Sequence, residues 1–160
     1  MKTHPRGVIK LDRVDREMIA LLQKDGRMPI VNIARKLGIS ETTARSRLKR
    51  LIQEEIIRVV AVSNPIRLGF DIIGNIKLSI DLKKKDAILQ SLKKIDALNY
   101  VALTTGGNDI DIEFIAGSLA EFKTLIFDEI SQIDGVHSAE TSLIVEIIKD
   151  TWDYGTAWDD

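Results

Sequence analysis

Apolar residues recur every three or four positions through the first third of the chain and every two positions through much of the remainder, so helices precede a sheet. Val14, Met18, Leu21 and Leu22 form the inward stripe of a helix that starts at Asp12, with Asp15 at its third position, and ends at Gly26. Ile30, Ile33, Ala34 and Leu37 mark a second helix. Gly38 stops it in a left-handed cap, and Ile39 pins the turn to the core. Ser40 caps a third helix that buries Ala44, Leu48 and Leu51. Two short helices joined by a tight glycine turn, braced by a third, predict a helix-turn-helix.

The β-branched run Ile56 to Val62 predicts a strand, which Ser63, Asn64 and Pro65 break. From Ile72 to Leu82 the even positions are apolar or glycine, the odd ones largely polar, as in a half-buried strand. Ile88, Leu92 and Ile95 then share a helical face. Leu98 to Thr104 reads as a strand, Gly106 and Gly107 as a turn, and Ile110, Ile112, Phe114 and Ala116 as the inner face of the returning strand. Leu119, Phe122, Leu125, Ile126, Ile130 and Ile133 trace another helix that Gly135 closes. Ala139, Thr141, Leu143, Val145 and Ile147 alternate along a last strand. The order βαββαβ is the ferredoxin-like arrangement. The expected fold is therefore α+β: a three-helix, winged-helix-like helix-turn-helix domain (1–55), a linker with a strand (56–70), a ferredoxin-like domain (71–149) and an acidic aromatic tail (150–160). That tail holds Trp152, Tyr154 and Trp158, and either frays or docks on a neighbouring subunit.

Charge sharpens this division. The net charge is −1, yet residues 1–70 hold 15 Lys plus Arg against 7 Asp plus Glu, and residues 71–160 hold 8 against 17. A basic front half suits phosphate, whereas the acidic back half is repelled by a duplex. The third helix supplies the matching chemistry. Ser40 leaves backbone N–H groups at the helix start for a phosphate. Thr42, Thr43, Arg45 and Ser46 offer short hydroxyls and a guanidinium to base edges, and Arg47, Lys49 and Arg50 are expected to hold the DNA backbone.

Composition mainly excludes. With no cysteine there is neither a disulfide framework nor a thiolate metal site, and nothing calls for a cofactor. No run reaches membrane-spanning length, and MKTHPRGVIKLDR lacks the apolar core of a secretory signal, so the expected location is the cytoplasm.

LDRVDREMIALLQKDGR, IARKLGIS, RSRLKRL, NPIRLG, TGGND and GVHSAET, in this order and spacing, resemble segments of the Lrp/AsnC (feast/famine) transcription regulators over nearly the whole chain. The resemblance implies an N-terminal helix-turn-helix, a βαββαβ ligand-sensing domain and a homodimer assembling further to a tetramer or octamer. It also implies an amino-acid effector near the glycine hairpin, here Thr105, Gly106, Gly107, Asn108 and Asp109. Exposed glycine N–H groups suit a carboxylate, and Asp109 suits an ammonium. Asn108 stands where many relatives carry an aromatic residue, Glu55 where a glycine is usual, Pro29 where a capping serine is common, and Ala139 where threonine is frequent.

Two other readings stay open. A few distant relatives are tetrapyrrole decarboxylases that use histidines; this chain offers only His4 and His137, and no nucleophile–base pair is legible. Asp109, Asp111 and Glu113 project from one strand face, a pattern that usually marks a solvated surface. The second alternative is a ligand-sensing assembly module that reads no DNA.

Overall fold

The computed structural model describes residues 10–149, which divide along the chain into two compact units, the first ending at Val62 and the second beginning at Ser63. His4 and the tail with Trp152, Tyr154 and Trp158 lie outside the described residues.

The first unit contains α1 (Arg13–Lys24), α2 (Ile30–Leu37) and α3 (Glu41–Gln53). Met18, Ile33, Ala44 and Leu51 are fully buried where the three helices meet, with Ile19 and Ala34 nearly so. Each large apolar side chain so enclosed contributes about 1.5–3 kcal/mol. Asp12 caps α1 as expected: its carboxylate accepts from Asp15 N at 2.8 Å, and the Asp15 carboxylate accepts from Asp12 N at 3.3 Å. The helix stops slightly early, because Asp25 is extended and its own carboxylate accepts from Arg27 N. Pro29 precedes α2 without a side-chain cap.

Helices α2 and α3 end in the same closure. Gly38 is left-handed (φ 65°), Ile39 N donates to Ala34 O, and Gly38 N donates to Arg35 O. After α3, Ile56 N donates to Leu51 O and Glu55 N to Ile52 O, with Glu55 in the left-handed position (φ 55°). A glutamate here bears a backbone cost that glycine avoids. The following run is not the expected strand: residues 56–62 join no strand ladder among the described residues. Ile56 and Ile57 are held by the helical core, while Val59, Val60 and Val62 are 50%, 67% and 65% exposed. β propensity makes a strand only where a neighbour supplies the ladder.

The second unit is the expected βαββαβ. β1 (Ile72–Ile80), α4 (Lys85–Leu92), β2 (Leu98–Leu103), β3 (Ile110–Ala116), α5 (Leu119–Lys123) and β4 (Val136–Leu143) build one antiparallel sheet of order β2-β3-β1-β4. Ile76, Leu78, Ile110, Ile112 and Phe114 line its inner face against Ile88, Leu92, Leu125 and Ile130, and Phe114 stacks on Phe122 at 5.4 Å. Three details depart from the sequence reading. Leu82 falls in a 3₁₀ turn and is 65% exposed rather than ending β1. The long apolar stripe is no uniform helix, since α5 widens into a π-helical stretch at Thr124–Glu129 and tightens at Ile130–Gln132. The β4 ladder stops at Leu143, leaving Val145 99% and Ile147 46% exposed. Ala139, Thr141 and Leu143 do pair with the inner-face residues Leu78, Ile76 and Gly74, but β4 is a sheet edge and they are exposed.

Gly74 is required by close approach. A Cβ there would lie 2.4 Å from Ser142 O and 2.7 Å from the Phe114 ring. Gly74→Ala should therefore lower stability by about 1–3 kcal/mol, the usual cost of overpacking, read as a lower urea midpoint.

Candidate nucleic-acid interface

Helix α3 begins with a well-formed cap. Ser40 Oγ accepts from Thr43 N at 3.1 Å and lies 2.8 Å from Thr43 Oγ1. Because Ala44 and Leu51 face the core, the helical period turns Thr42, Thr43, Arg45, Ser46 and Lys49 to solvent, and all five are exposed. Arg45 leans toward Glu41 at 3.8 Å with both side chains well exposed, an association of little energetic weight. Lys49 has no partner among the described residues. On the preceding helix Asn32 accepts from Arg35 at 2.9 Å.

Arg47 and Arg50, which the sequence reading assigns to the DNA backbone, reach toward the start of α1 in the chain by itself. Arg47 Nη1 donates to Asp12 Oδ2 at 2.6 Å and to Asp15 Oδ1 at 2.8 Å, and Arg50 Nη2 donates to Asp15 Oδ2. Asp15 is 1% exposed, so one buried carboxylate serves two guanidiniums and a backbone N–H. The backbone N–H of Asp15, and then Arg47, hold the Asp12 carboxyl below its ordinary range, while hydrogen bonds to these aspartates raise Arg47 and Arg50. A depression of about 480 Å³ opens beside this cluster, lined by Asp12, Thr42, Thr43, Ser46, Arg47 and Arg50.

The aspartates were legible in the sequence only as helix-start acids. A sharper signal was present: Asp12 and Asp15 are three apart, as are Arg47 and Arg50, so each pair shares a helix face at the same pitch.

In the second unit, the hairpin residues Thr105, Gly106 and Gly107 are exposed at the tip, with Asn108 and Asp109 half-buried. Thr104 Oγ1 donates to Asn108 O at 2.9 Å, and Thr104 N to Asp109 O at 2.9 Å. Asp109 also ties the hairpin to β1: its N donates to Leu78 O, and its Oδ2 accepts from Ile80 N at 2.8 Å. Gly106 has φ 126°, and a Cβ on Gly107 would meet nothing within 4 Å, so the tip is an open backbone surface. Asp111 and Glu113 lie on the outer sheet face, where Lys77 of β1 stands opposite Asp111 on one side and Glu140 on the other. Among the described residues no group of His, Cys, Asp or Glu could hold a metal ion, and no helix is long and apolar enough to cross a membrane. His137 sits on the edge strand β4.

Family comparison assigns both units. Residues 11–52 match the AsnC-type helix-turn-helix domain and residues 75–153 the Lrp/AsnC ligand binding domain. The chain belongs to the Lrp/AsnC family of transcriptional regulators. An uncharacterised HTH-type transcriptional regulator of Pyrococcus abyssi is 34% identical over 152 residues, 94% of each chain. The HTH-type transcriptional regulator Ptr1 of Methanocaldococcus jannaschii is 31% identical over 141 residues, covering 88% of this chain and 95% of its own. In fold, this Lrp/AsnC chain matches E. coli AsnC with a TM-score of 0.81 at 24% identity (89% and 97% of the two chains). It matches a Neisseria meningitidis transcriptional regulator, solved as its L-Met complex, with a TM-score of 0.82 at 23% identity (89% and 95%). The named relatives are transcriptional regulators.

The depressed Asp12 value fixes a pH dependence. Its stabilisation is present above the ordinary carboxylate range near pH ~4 and is lost as pH falls through the lowered folded-state value. Thermal unfolding followed from about pH 6 to about pH 2.5 should show a shallower acid loss for Asp12→Asn than for the unaltered chain, because asparagine keeps the cap but cannot titrate.

Proposed function

We propose that the chain is a sequence-reading, DNA-binding transcriptional regulator that acts as a homodimer or higher assembly and responds to a small effector, with an amino acid as the expected class. The exposed α3 face carries this reading. A capped helix start at Ser40, hydroxyls on Thr42, Thr43 and Ser46, and the outward cations Arg45 and Lys49 form the chemistry that inspects a major groove and its flanking phosphates. Membership of a family of helix-turn-helix regulators supports it. One small module reaches few base pairs, so a dyad of two is needed for useful specificity. The apolar residues Leu143, Ile144, Val145, Ile147 and Ile148, all substantially exposed from the end of the β4 ladder onward, support a self-assembling second unit. No catalytic step is part of this reading.

The effector assignment rests on the hairpin at 105–109 within the ligand-binding domain. The glycine N–H groups at its tip offer donors to a carboxylate, and Asp109 offers an acceptor to an ammonium. An L-Met complex of a structural relative accords with an amino acid here.

Two measurements test the reading. Arg45→Ala should cost about 1–3 kcal/mol of discrimination on a selected site while leaving random duplex binding less affected; equal losses on both would remove Arg45 from base reading. Screening the twenty amino acids by thermal shift should find at least one that raises the melting temperature. Gly107→Val, whose side chain enters open space, should retain the fold and lose that shift; a shift surviving unchanged would move the effector elsewhere.

A further inference from the structure

We propose that Asp15, assisted by Asp12, is a positioning residue for DNA binding: it keeps Arg47 and Arg50 on the α1 side of α3, so that Lys49 is the α3 cation that meets phosphate and Arg45 is left to the bases. The inference rests on the DNA-binding reading above and divides its site into contacting and orienting residues.

Four observations carry it. Asp15 is 1% exposed and accepts from both arginines, in surroundings where charges are screened far less than at the surface. Arg47 is 28% exposed and Arg50 39%, against 66% for Arg45. A phosphate seeking Arg47 would have to displace two carboxylates at 2.6 and 2.8 Å. Asp12 lines the same depression as Thr42, Thr43 and Ser46, and its negative charge opposes any phosphate entering there. Two aspartates and two arginines make the cluster locally neutral, so it adds orientation to α3 without adding cationic charge.

Counting phosphates tests this. Each phosphate neutralised adds about 0.9 to the salt dependence of log binding constant against log salt. Binding to a 30-base-pair random duplex is measured by anisotropy from about 50 to about 300 mM KCl. Lys49→Ala should flatten the slope by about 0.9 per bound chain. Asp15→Asn, which frees both guanidiniums, should steepen it by about 0.9 to 1.8 and tighten binding at low salt. Asp12→Asn should steepen it by a smaller amount; it preserves the N-cap and lies on an exposed residue, so it decides the matter should Asp15→Asn not fold. Glu17→Gln removes an equal charge from α1 away from these arginines and should leave the slope in place. Slopes unchanged in the folded aspartate variants, or an equal steepening in Glu17→Gln, would overturn the positioning role alone. Failure of the unaltered chain to bind duplex at low salt would overturn the DNA reading and this inference together.

Discussion

A buried carboxylate beneath two guanidiniums sets the geometry of the first unit. Apolar contacts among Met18, Ile33, Ala44 and Leu51 hold the three helices together, but the hydrophobic effect is non-directional and would tolerate α3 rolling about its axis. Rolling by one residue rotates the exposed face by about 100° and would replace Arg45 and Ser46 with a different set. The hydrogen bonds from Arg47 and Arg50 to Asp15 are directional and charge-assisted, so they fix that rotation. Buried ion pairs are weak evidence for raw stability; their contribution here is orientation. The capping box adds to it, because the residues that start α1 are the ones that grip α3.

Much of this was written in the sequence, and the exceptions share a cause. Helical period and cap chemistry located α1, α2 and α3 because both are local: Asp12, Gly38 and Ser40 act on neighbours within one turn. The two-residue alternation located β1 and β3 for the same reason, and the face assignment of Ala139, Thr141 and Leu143 agrees with their register. The failures needed a distant partner. Ile56 to Val62 has strand propensity but no neighbouring ladder, and the alternation through Val145 and Ile147 continues past the last residue that β1 can pair. The hydrogen bonds of Arg47 and Arg50, which the sequence reading did not foresee, likewise reach acids more than thirty positions away, where periodicity carries no information. The π-helical stretch at Thr124–Glu129 also escaped, since a single extra residue per turn barely disturbs an apolar stripe.

Under the proposed effector reading, one hairpin residue serves fold and site at once. Asp109 closes the β2–β3 turn and fastens it to β1 through Ile80 N, so its carboxylate is partly engaged before any ligand arrives. An ammonium would share that group with the backbone, and the remaining recognition falls to the N–H groups of the glycine tip, which no side chain covers. This explains why a plain structural turn and a ligand site are indistinguishable from the residues alone: the same Thr, Gly and Asp satisfy both demands.

The sheet edge imposes the last constraint. In the order β2-β3-β1-β4, β4 pairs only with β1 and presents its other side unpaired. Natural edges are blunted by charge, proline or cover. Here the apolar residues from the last rung of the ladder onward are Leu143, Ile144, Val145, Ile147 and Ile148, interrupted by Glu146 alone and all exposed in a single copy. Such a segment has two outcomes in water: uncontrolled association or burial in a defined assembly. The homodimer proposed above would satisfy the second with one self-complementary patch, and would bring two copies of the first unit into a single molecule. On the proposed assembly, the apolar edge of the acidic unit and the basic recognition helix answer one requirement, since a module too small to specify a DNA site alone is carried by a unit whose exposed edge favours a second copy.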